Sequence, residues 1–352
     1  MATEMLKRLD ANPLLTPADL RPTQEGLEVM CTLNPGAVRF GGETILLVRV
    51  GERPPAEEGY VTYLYYDAEA GLAKIGRIAK DDPDLGANES RAFVYRGQML
   101  LTSMSHLRVA RSRDGRKFKF DEHGVFPSTP YEAYGCEDPR ITAIADRFYI
   151  TYTAVSGRGV TVALAATDDF VTFEKAGVIF PPFQKDVCIF PQRVRGLYVC
   201  RHRPYRSEFN PPCMWTAWSP DLLSWGRHEQ TLAPVPGTWE GERVGAGAPP
   251  IRTNDGWLEI YHAADAKGRY CLGAMLSDLD SPQRILTRSR RPVLEPQAPY
   301  ELAGVYGNCV FSNGLVAGPG GELTVYYGAA DSICAAAVTT VEQMVRAAKN
   351  EM

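Results

Sequence analysis

From about residue 30 to residue 338 the chain repeats one unit: a strand, a tight turn, a second strand, then a third strand closed by a polar turn. Repeated antiparallel units of this size are accommodated by setting them around an axis as the blades of a propeller. The leading hairpin occurs as Ala37 to Val50, Ile141 to Tyr152 around Asp146-Arg147, Ile189 to Cys200 around Arg195-Gly196, Pro250 to His262 around Asp255-Gly256, and Val310 to Tyr327 around Gly320-Gly321. The third strand recurs independently as Leu107 to Ser112, Val162 to Thr167, Met214 to Ser219, Cys271 to Ser277 and Ile333 to Val338. The first three of these end alike, in Ser112-Arg-Asp-Gly-Arg-Lys-Phe118, Thr167-Asp-Asp-Phe-Val-Thr-Phe173 and Ser219-Pro-Asp-Leu-Leu-Ser-Trp225. There the Asp can close the turn and the aromatic can pack back on the blade.

Both series point to five blades, whereas a further hairpin candidate, Arg91 to Thr102, points to six. Residues 60–105 are longer than one blade needs. The expectation is a single all-β domain over 1–352, a five-bladed propeller with a short N-terminal extension and 60–105 inserted in the first blade; six blades remain the alternative. Thr339 and Glu342 stand at capping-box spacing and predict a C-terminal helix over 339–350.

Composition narrows the function classes. A net charge of −4 and a pI of about 5.8 supply no basic field for nucleic acid or anionic lipid. The N-terminal residues carry charges where a signal peptide needs an apolar stretch, and no run approaches a membrane span, so a cytoplasmic protein with neither nucleic-acid nor membrane partner is expected. Eight scattered cysteines without a C-x-x-C pair read as buried free thiols rather than disulfides or a metal site. Cys136 and Cys188 fall near the polar positions described next, but apolar surroundings raise a thiol pKa and argue against nucleophiles.

A propeller gathers the starts of its first strands around one funnel, so polar residues there converge although they are distant in sequence. Such residues are Asn34, Glu137 with Asp138, Lys185 with Asp186, Arg243 and Asn308, joined by Arg49, Arg203 and His262 at the exits of second strands. Each has a plain alternative: Asp before Pro starts turns, Lys-Asp forms solvated loop pairs, and a histidine after Ile-Tyr packs in cores. Their recurrence at equivalent points of five units favours a site. No Walker loop, H-E-x-x-H or G-x-S-x-G competes. Gly245-Ala-Gly-Ala248 is followed by Pro249-Pro250, where a dinucleotide-binding helix would have to start.

Six ordered motifs, Gly135-Cys-Glu-Asp-Pro-Arg-Ile141, Lys185-Asp-Val-Cys-Ile-Phe-Pro191, His202-Arg-Pro204, Arg243-Val-Gly-Ala-Gly-Ala-Pro-Pro250, Gly256-Trp-Leu-Glu-Ile-Tyr-His262 and Tyr327-Gly-Ala-Ala-Asp331, resemble glycoside hydrolase family 130, the β-mannoside phosphorylases and some β-mannosidases. The resemblance implies a five-bladed propeller and inverting phosphorolysis of a β-mannoside to α-mannose 1-phosphate and a shortened acceptor. It implies Asp138 as the acid, relaying its proton through a mannosyl hydroxyl. Lys185, Arg203, Arg243 and His262 match phosphate-holding positions, while Asn34, Arg49 and Asp331 resemble sugar-binding ones. The implied partners are a manno-oligosaccharide and inorganic phosphate as co-substrate, with neither metal nor organic cofactor, and the family often forms homo-oligomers.

Residue chemistry agrees. An inverting hydrolase needs a second carboxylate to activate water, roughly 6.5–9.5 Å from the acid. Phosphate arrives already nucleophilic and needs cations and donors that hold it in line. One departure is that family phosphorylases often carry Lys at position 243 and Arg at 185, the reverse of this chain; charge is kept, geometry is not. The alternatives are an inverting β-mannosidase with Asp186 or Glu242 as base, and a carbohydrate-binding propeller without catalysis. Likeness around Ser105-His-Leu-Arg108 and 60–105 leans to β-1,2 rather than β-1,4 linkages.

Overall fold

The computed structural model describes residues 5–88 and 91–351. A short strand, β1 (Lys7–Arg8), precedes the first blade, which starts with β2 (Glu28–Phe40) and β3 (Glu43–Arg53). Next come a hairpin, β4 (Tyr60–Asp67) and β5 (Leu72–Ala79), and a small sheet, β6 (Leu85–Asn88), β7 (Ala92–Tyr95) and β8 (Gln98–Leu101). Blade 1 then resumes with β9 (Met104–Ser112) and β10 (Lys119–Val125). Blade 2 is β11 (Gly135–Ile144), β12 (Arg147–Ser156), β13 (Gly159–Thr167) and β14 (Glu174–Phe180). Blade 3 is β15 (Gln184–Ile189), β16 (Tyr198–Pro204), β17 (Met214–Ser219) and β18 (Gly226–Leu232). In blade 4 the inner strand is broken into β19 (Arg243–Ala246) and β20 (Ile251–Thr253), followed by β21 (Gly256–Ala264), β22 (Tyr270–Ser277) and β23 (Ile285–Arg288).

Blade 5, with β24 (Val310–Ala317), β25 (Glu322–Ala329) and β26 (Ile333–Thr340), takes its fourth strand from the other end of the chain. β1 pairs antiparallel with β26, Lys7 opposite Val338 and Arg8 opposite Ala337. The N-terminal segment is thus not a mere extension; it completes the last blade and ties the ring shut. The expected helix begins two residues late, at Val341, and runs to Lys349. Thr339 still belongs to β26, so the capping duty passes to Thr340, whose hydroxyl accepts the Gln343 amide hydrogen.

Five blades account for both recurring series in the sequence. The turns after the third strands close as their residues require: Asp114 accepts from the amides of Arg116 and Lys117, Asp169 from Val171 and Thr172, and Asp221 from Leu223 and Ser224. The core is a series of layers between blades. Leu47, Leu107 and Val109 of blade 1 meet Ile141, Ile150 and Tyr152 of blade 2, and Leu258 and Ile260 of blade 4 meet Val310 and Val325 of blade 5, all buried. Each such side chain contributes about 1.5–3 kcal/mol on burial.

Glycines bring the inner strands together at the axis. A Cβ on Gly36 would stand 2.9 Å from the Pro139 carbonyl oxygen of the next blade, and one on Gly314 would stand 2.6 Å from that of Pro35. Among the described residues no helix is long and apolar enough to cross a membrane.

Candidate active site

Asn308 precedes its inner strand, as the sequence suggested, and Arg243 opens β19, whereas Asn34, Asp138 and Asp186 lie inside their strands, at a bulge repeated in three blades. Leu33 pairs with Arg49 but Gly36 with Leu47; Glu137 pairs with Thr153 but Arg140 with Thr151; Lys185 pairs with Arg203 but Cys188 with Arg201. Two residues therefore lie opposite one, and the first of each pair is left-handed: Asn34 (φ 46°), Asp138 (φ 50°) and Asp186 (φ 56°). Asn and Asp tolerate this region better than other side chains, and a bulge re-aims the side chain it carries.

The bulge aims Asp138 into a polar corner. Its Oδ1 accepts from Asn34 Nδ2 at 2.9 Å and from Arg49 Nη1 at 3.0 Å, while Oδ2 carries no hydrogen bond among the described residues. Arg49 is held by three partners, Asp138, Glu137 (Nη2 to Oε1, 2.8 Å) and Ser105 (Nε to Oγ, 3.0 Å). Burial pushes the Asp138 carboxyl up, yet Arg49, Lys185, Arg140 and the Asn34 amide prevail and hold it at about 2. It is ionised at neutral pH in the free protein.

Asp186 stands at the centre of a cationic cluster. Its Oδ1 accepts from Arg140 Nη2 at 3.1 Å, its Oδ2 from Arg203 Nε at 2.6 Å, and His262 Nε2 lies 3.3 Å from Oδ2 without an aligned hydrogen bond. Burial again works against ionisation, and Arg203, His262 and Arg140 outweigh it, so Asp186 is held well below the usual carboxylate range. His262 is fully buried, 4.2 Å from the Phe311 ring centre; burial pushes its imidazole down to about 4 although Asp186 pulls the other way, and it is neutral near pH 7. A Cβ at Gly245 would stand 2.5 Å from His262 Nε2 and 2.7 Å from Asp186 Oδ2, so the packing requires glycine there.

Around this centre lie donors without protein partners. Lys185 forms no ion pair among the described residues; burial disfavours its charge, but Tyr205, Asp186 and Asp138 keep its pKa above the ordinary value. Among the described residues Arg203 hydrogen-bonds only through Nε, to Asp186. Arg243 donates Nη1 to the Tyr270 hydroxyl at 3.0 Å, while its Nε is buried with no partner among the described residues, as are both ring nitrogens of His262 and two acceptors, the Oδ1 atoms of Asn34 and Asn313. Buried polar groups in folded proteins are nearly always paired, so unpaired donors and acceptors gathered in one place mark where an anionic or polyhydroxyl ligand binds.

Matching against protein families, residues 89–350 fit the model described as beta-1,4-mannooligosaccharide phosphorylase, glycoside hydrolase family 130. Over 331 residues, 92% of this chain and 93% of the relative, the sequence is 39% identical to a beta-1,2-mannobiose phosphorylase of Listeria innocua. The chain belongs to glycoside hydrolase family 130. It is also 39% identical, over 68% of its length and 80% of the relative's, to a 1,2-beta-oligomannan phosphorylase of Thermoanaerobacter. The solved Listeria innocua enzyme in complex with beta-1,2-mannobiose superposes with a TM-score of 0.93 at 38% identity, covering 98% of this chain and 99% of that one.

In this family 130 chain the structure places Asn34, Arg49 and Asp138 in direct contact, and links Arg203 and His262 through Asp186. Lys185 lies in register beside Arg203, and Arg243 reaches the cluster through Tyr270, whose ring is 6.2 Å from that of His262. Asp331 (φ 52°) sits at the other edge, its Oδ2 bonded to Arg91 Nη1 at 3.0 Å; burial raises its pKa despite Arg91 and Arg49. Two features escaped the sequence reading. Arg140, within the Glu-Asp-Pro-Arg motif, is fully buried and spans the axis, bonding the Asp138 carbonyl of blade 2, Asp186 of blade 3 and the Ala246 and Gly247 carbonyls of blade 4. A charged residue entering an apolar inner strand was the available signal. Arg91 was read only as part of a surplus hairpin. The eight thiols are free and buried, Cys188 pushed up by burial to about 12.

Proposed function

We propose that this chain is an inverting phosphorylase of β-1,2-linked mannosides, yielding α-mannose 1-phosphate and a shortened acceptor. The observation that carries the linkage is the likeness to the beta-1,2-mannobiose phosphorylase of Listeria innocua across nearly the whole of both chains. The arrangement of charges supports the reaction type. One carboxylate, Asp138, keeps an oxygen free beside a set of unused cationic donors, which suits protonation of a glycosidic oxygen on one side and retention of an anionic nucleophile on the other.

In this reading Asp138 is the acid, and Lys185, Arg203, Arg243 and His262 hold phosphate. Asn34, Arg49 and Asp331 bind the mannosyl residue. No metal or organic cofactor takes part. A carboxylate held at about 2 does not donate protons at neutral pH, so the acid acts only once bound phosphate offsets Lys185 and the arginines and lifts its pKa. The two carboxylates considered as hydrolytic bases are both engaged: Asp186 by Arg140, Arg203 and His262, and Glu242 by Arg206. Cytoplasmic residence belongs to the same proposal, supported by the free thiols.

Incubation with β-1,2-mannobiose, with and without phosphate, tests the proposal. The expected result is α-mannose 1-phosphate and mannose only when phosphate is present. Equal mannose release in both tubes would overturn it, and turnover of β-1,4-mannobiose alone would overturn the linkage.

A further inference from the structure

We infer that Asp186 is a positioning residue for phosphate: it touches neither substrate nor nucleophile and acts by fixing Arg203 and His262, the groups that do. The inference rests on the phosphorolytic reading above. Three geometric facts support it. First, both carboxylate oxygens are already used, Oδ1 at 3.1 Å from Arg140 Nη2 and Oδ2 at 2.6 Å from Arg203 Nε and 3.3 Å from His262 Nε2. A fully buried carboxylate with both oxygens engaged by arginines is held in its ionised form, which makes it a weak base for activating water.

Second, the contact with Arg203 is made through Nε. An arginine gripped on that edge has its planar fork fixed in direction, and both Nη groups project onward. They carry no hydrogen bond among the described residues, and Lys185 lies opposite Arg203 in the β15–β16 register. Third, the fold protects this contact. Asp186 holds a left-handed backbone at a bulge, Arg140 anchors it to the axis through two carbonyls of blade 4, and Gly245 leaves the space that Asp186 and His262 fill. In the same slot of blade 2, Thr153 stands opposite Glu137, and Asp138 is held through Oδ1 by Asn34 and Arg49 of blade 1, with no bond to its other oxygen among the described residues. A negative charge beside an anion site repels the anion unless its charge is fully spent on neighbouring cations, which is the state of Asp186 here.

The test is steady-state kinetics of the full-length protein with β-1,2-mannobiose and inorganic phosphate, comparing wild type, Asp186→Asn, Arg203→Lys and the double variant. For Asp186→Asn the KM for phosphate should rise about 10- to 100-fold, the range seen when the partner behind a liganding side chain is removed, while the KM for mannobiose stays within about twofold. If Asp186 acts through Arg203, the double variant is no worse than the worse single one. An unchanged phosphate KM, an equal rise in both KM values, or multiplicative single effects would overturn the inference. Should Asp186→Asn not fold, Gly245→Ala serves instead: its methyl group displaces Asp186 Oδ2 and His262 Nε2, and the same selective rise in phosphate KM is expected, an unaltered value refuting the idea. A wild-type protein that cleaves mannobiose without phosphate would sink the functional reading itself, whereas phosphate dependence with an indifferent Asp186→Asn sinks only the positioning role.

Discussion

Blades 2 and 3 present the same backbone device with opposite outcomes. In both, an aspartate sits first in a two-residue bulge, left-handed and buried, at the same point of the inner strand. The residue before each aspartate pairs across the hairpin, Glu137 with Thr153 and Lys185 with Arg203. One carboxylate is left with a free oxygen, the other has both oxygens bound. The propeller supplies the slot, and the partners around it, Arg140 and Arg203 at Asp186 against Asn34 and Arg49 at Asp138, set whether both carboxylate oxygens are engaged or one is left over.

The contrast breaks most sharply at Asp138. On the proposed role, replacing it by Asn removes the proton donor but keeps an acceptor for Asn34 and Arg49, so kcat for mannose 1-phosphate release should fall by about 10²–10⁴, the usual worth of a general acid, with phosphate still bound. Retained activity would move the acid elsewhere.

Stability should order the two residues the other way. Asp186→Asn leaves Arg140 and Arg203 buried without their counter-charge, and breaking such a pair costs about 3–5 kcal/mol. Asp138→Asn keeps its hydrogen-bonding shape and should cost about 1–2 kcal/mol by denaturant unfolding. Equal losses would mean that the two slots are not distinguished by their partners.

The pH dependence sharpens the same point. Asp138 is depressed from 3.8 to about 2, so its contribution to stability is present above the unfolded value and disappears as pH falls through the folded one. The stability difference between wild type and Asp138→Asn should therefore be flat above about pH 5 and close towards pH 2. Activity follows a different rule, because the acid must be protonated to work. On the proposed assignment, phosphate bound beside Asp138 raises its pKa, and the pH at which activity is lost on the basic side should then move upward as phosphate approaches saturation. A limb that ignores phosphate concentration would separate the acid from the anion site.

Much of this was legible beforehand, for identifiable reasons. Strand alternation recurs within short windows, so five blades could be counted from five hairpins and five third strands, three of them closed by turns at Asp114, Asp169 and Asp221. The convergence of Asn34, Asp138 and Arg203 could be anticipated because a propeller equates positions, not because those residues are near in sequence. The remainder depends on pairing across the ring. Two residues, Lys7 and Arg8, are too few to show a period, and only β26 reveals that they close the last blade. The bulges are register shifts, invisible until the partner strand is known. Arg140 could be read as the end of a turn because its four partners come from three blades.

The smallest effect expected is at Glu242, the other carboxylate considered as a base. It lies one residue before Arg243, and its partly exposed carboxylate pairs with the still more exposed Arg206. Exposed pairs of this kind are worth about 0–1 kcal/mol, and the carboxylate has no bond to Asp186, Arg203 or His262 among the described residues. Glu242→Gln should leave kcat and both KM values within about twofold and unfolding within about 1 kcal/mol. A loss approaching that of Asp138→Asn would place a base on the anion side, turn the cluster around Asp186 from a phosphate cradle into the surroundings of a water, and make hydrolysis the better account of the same geometry.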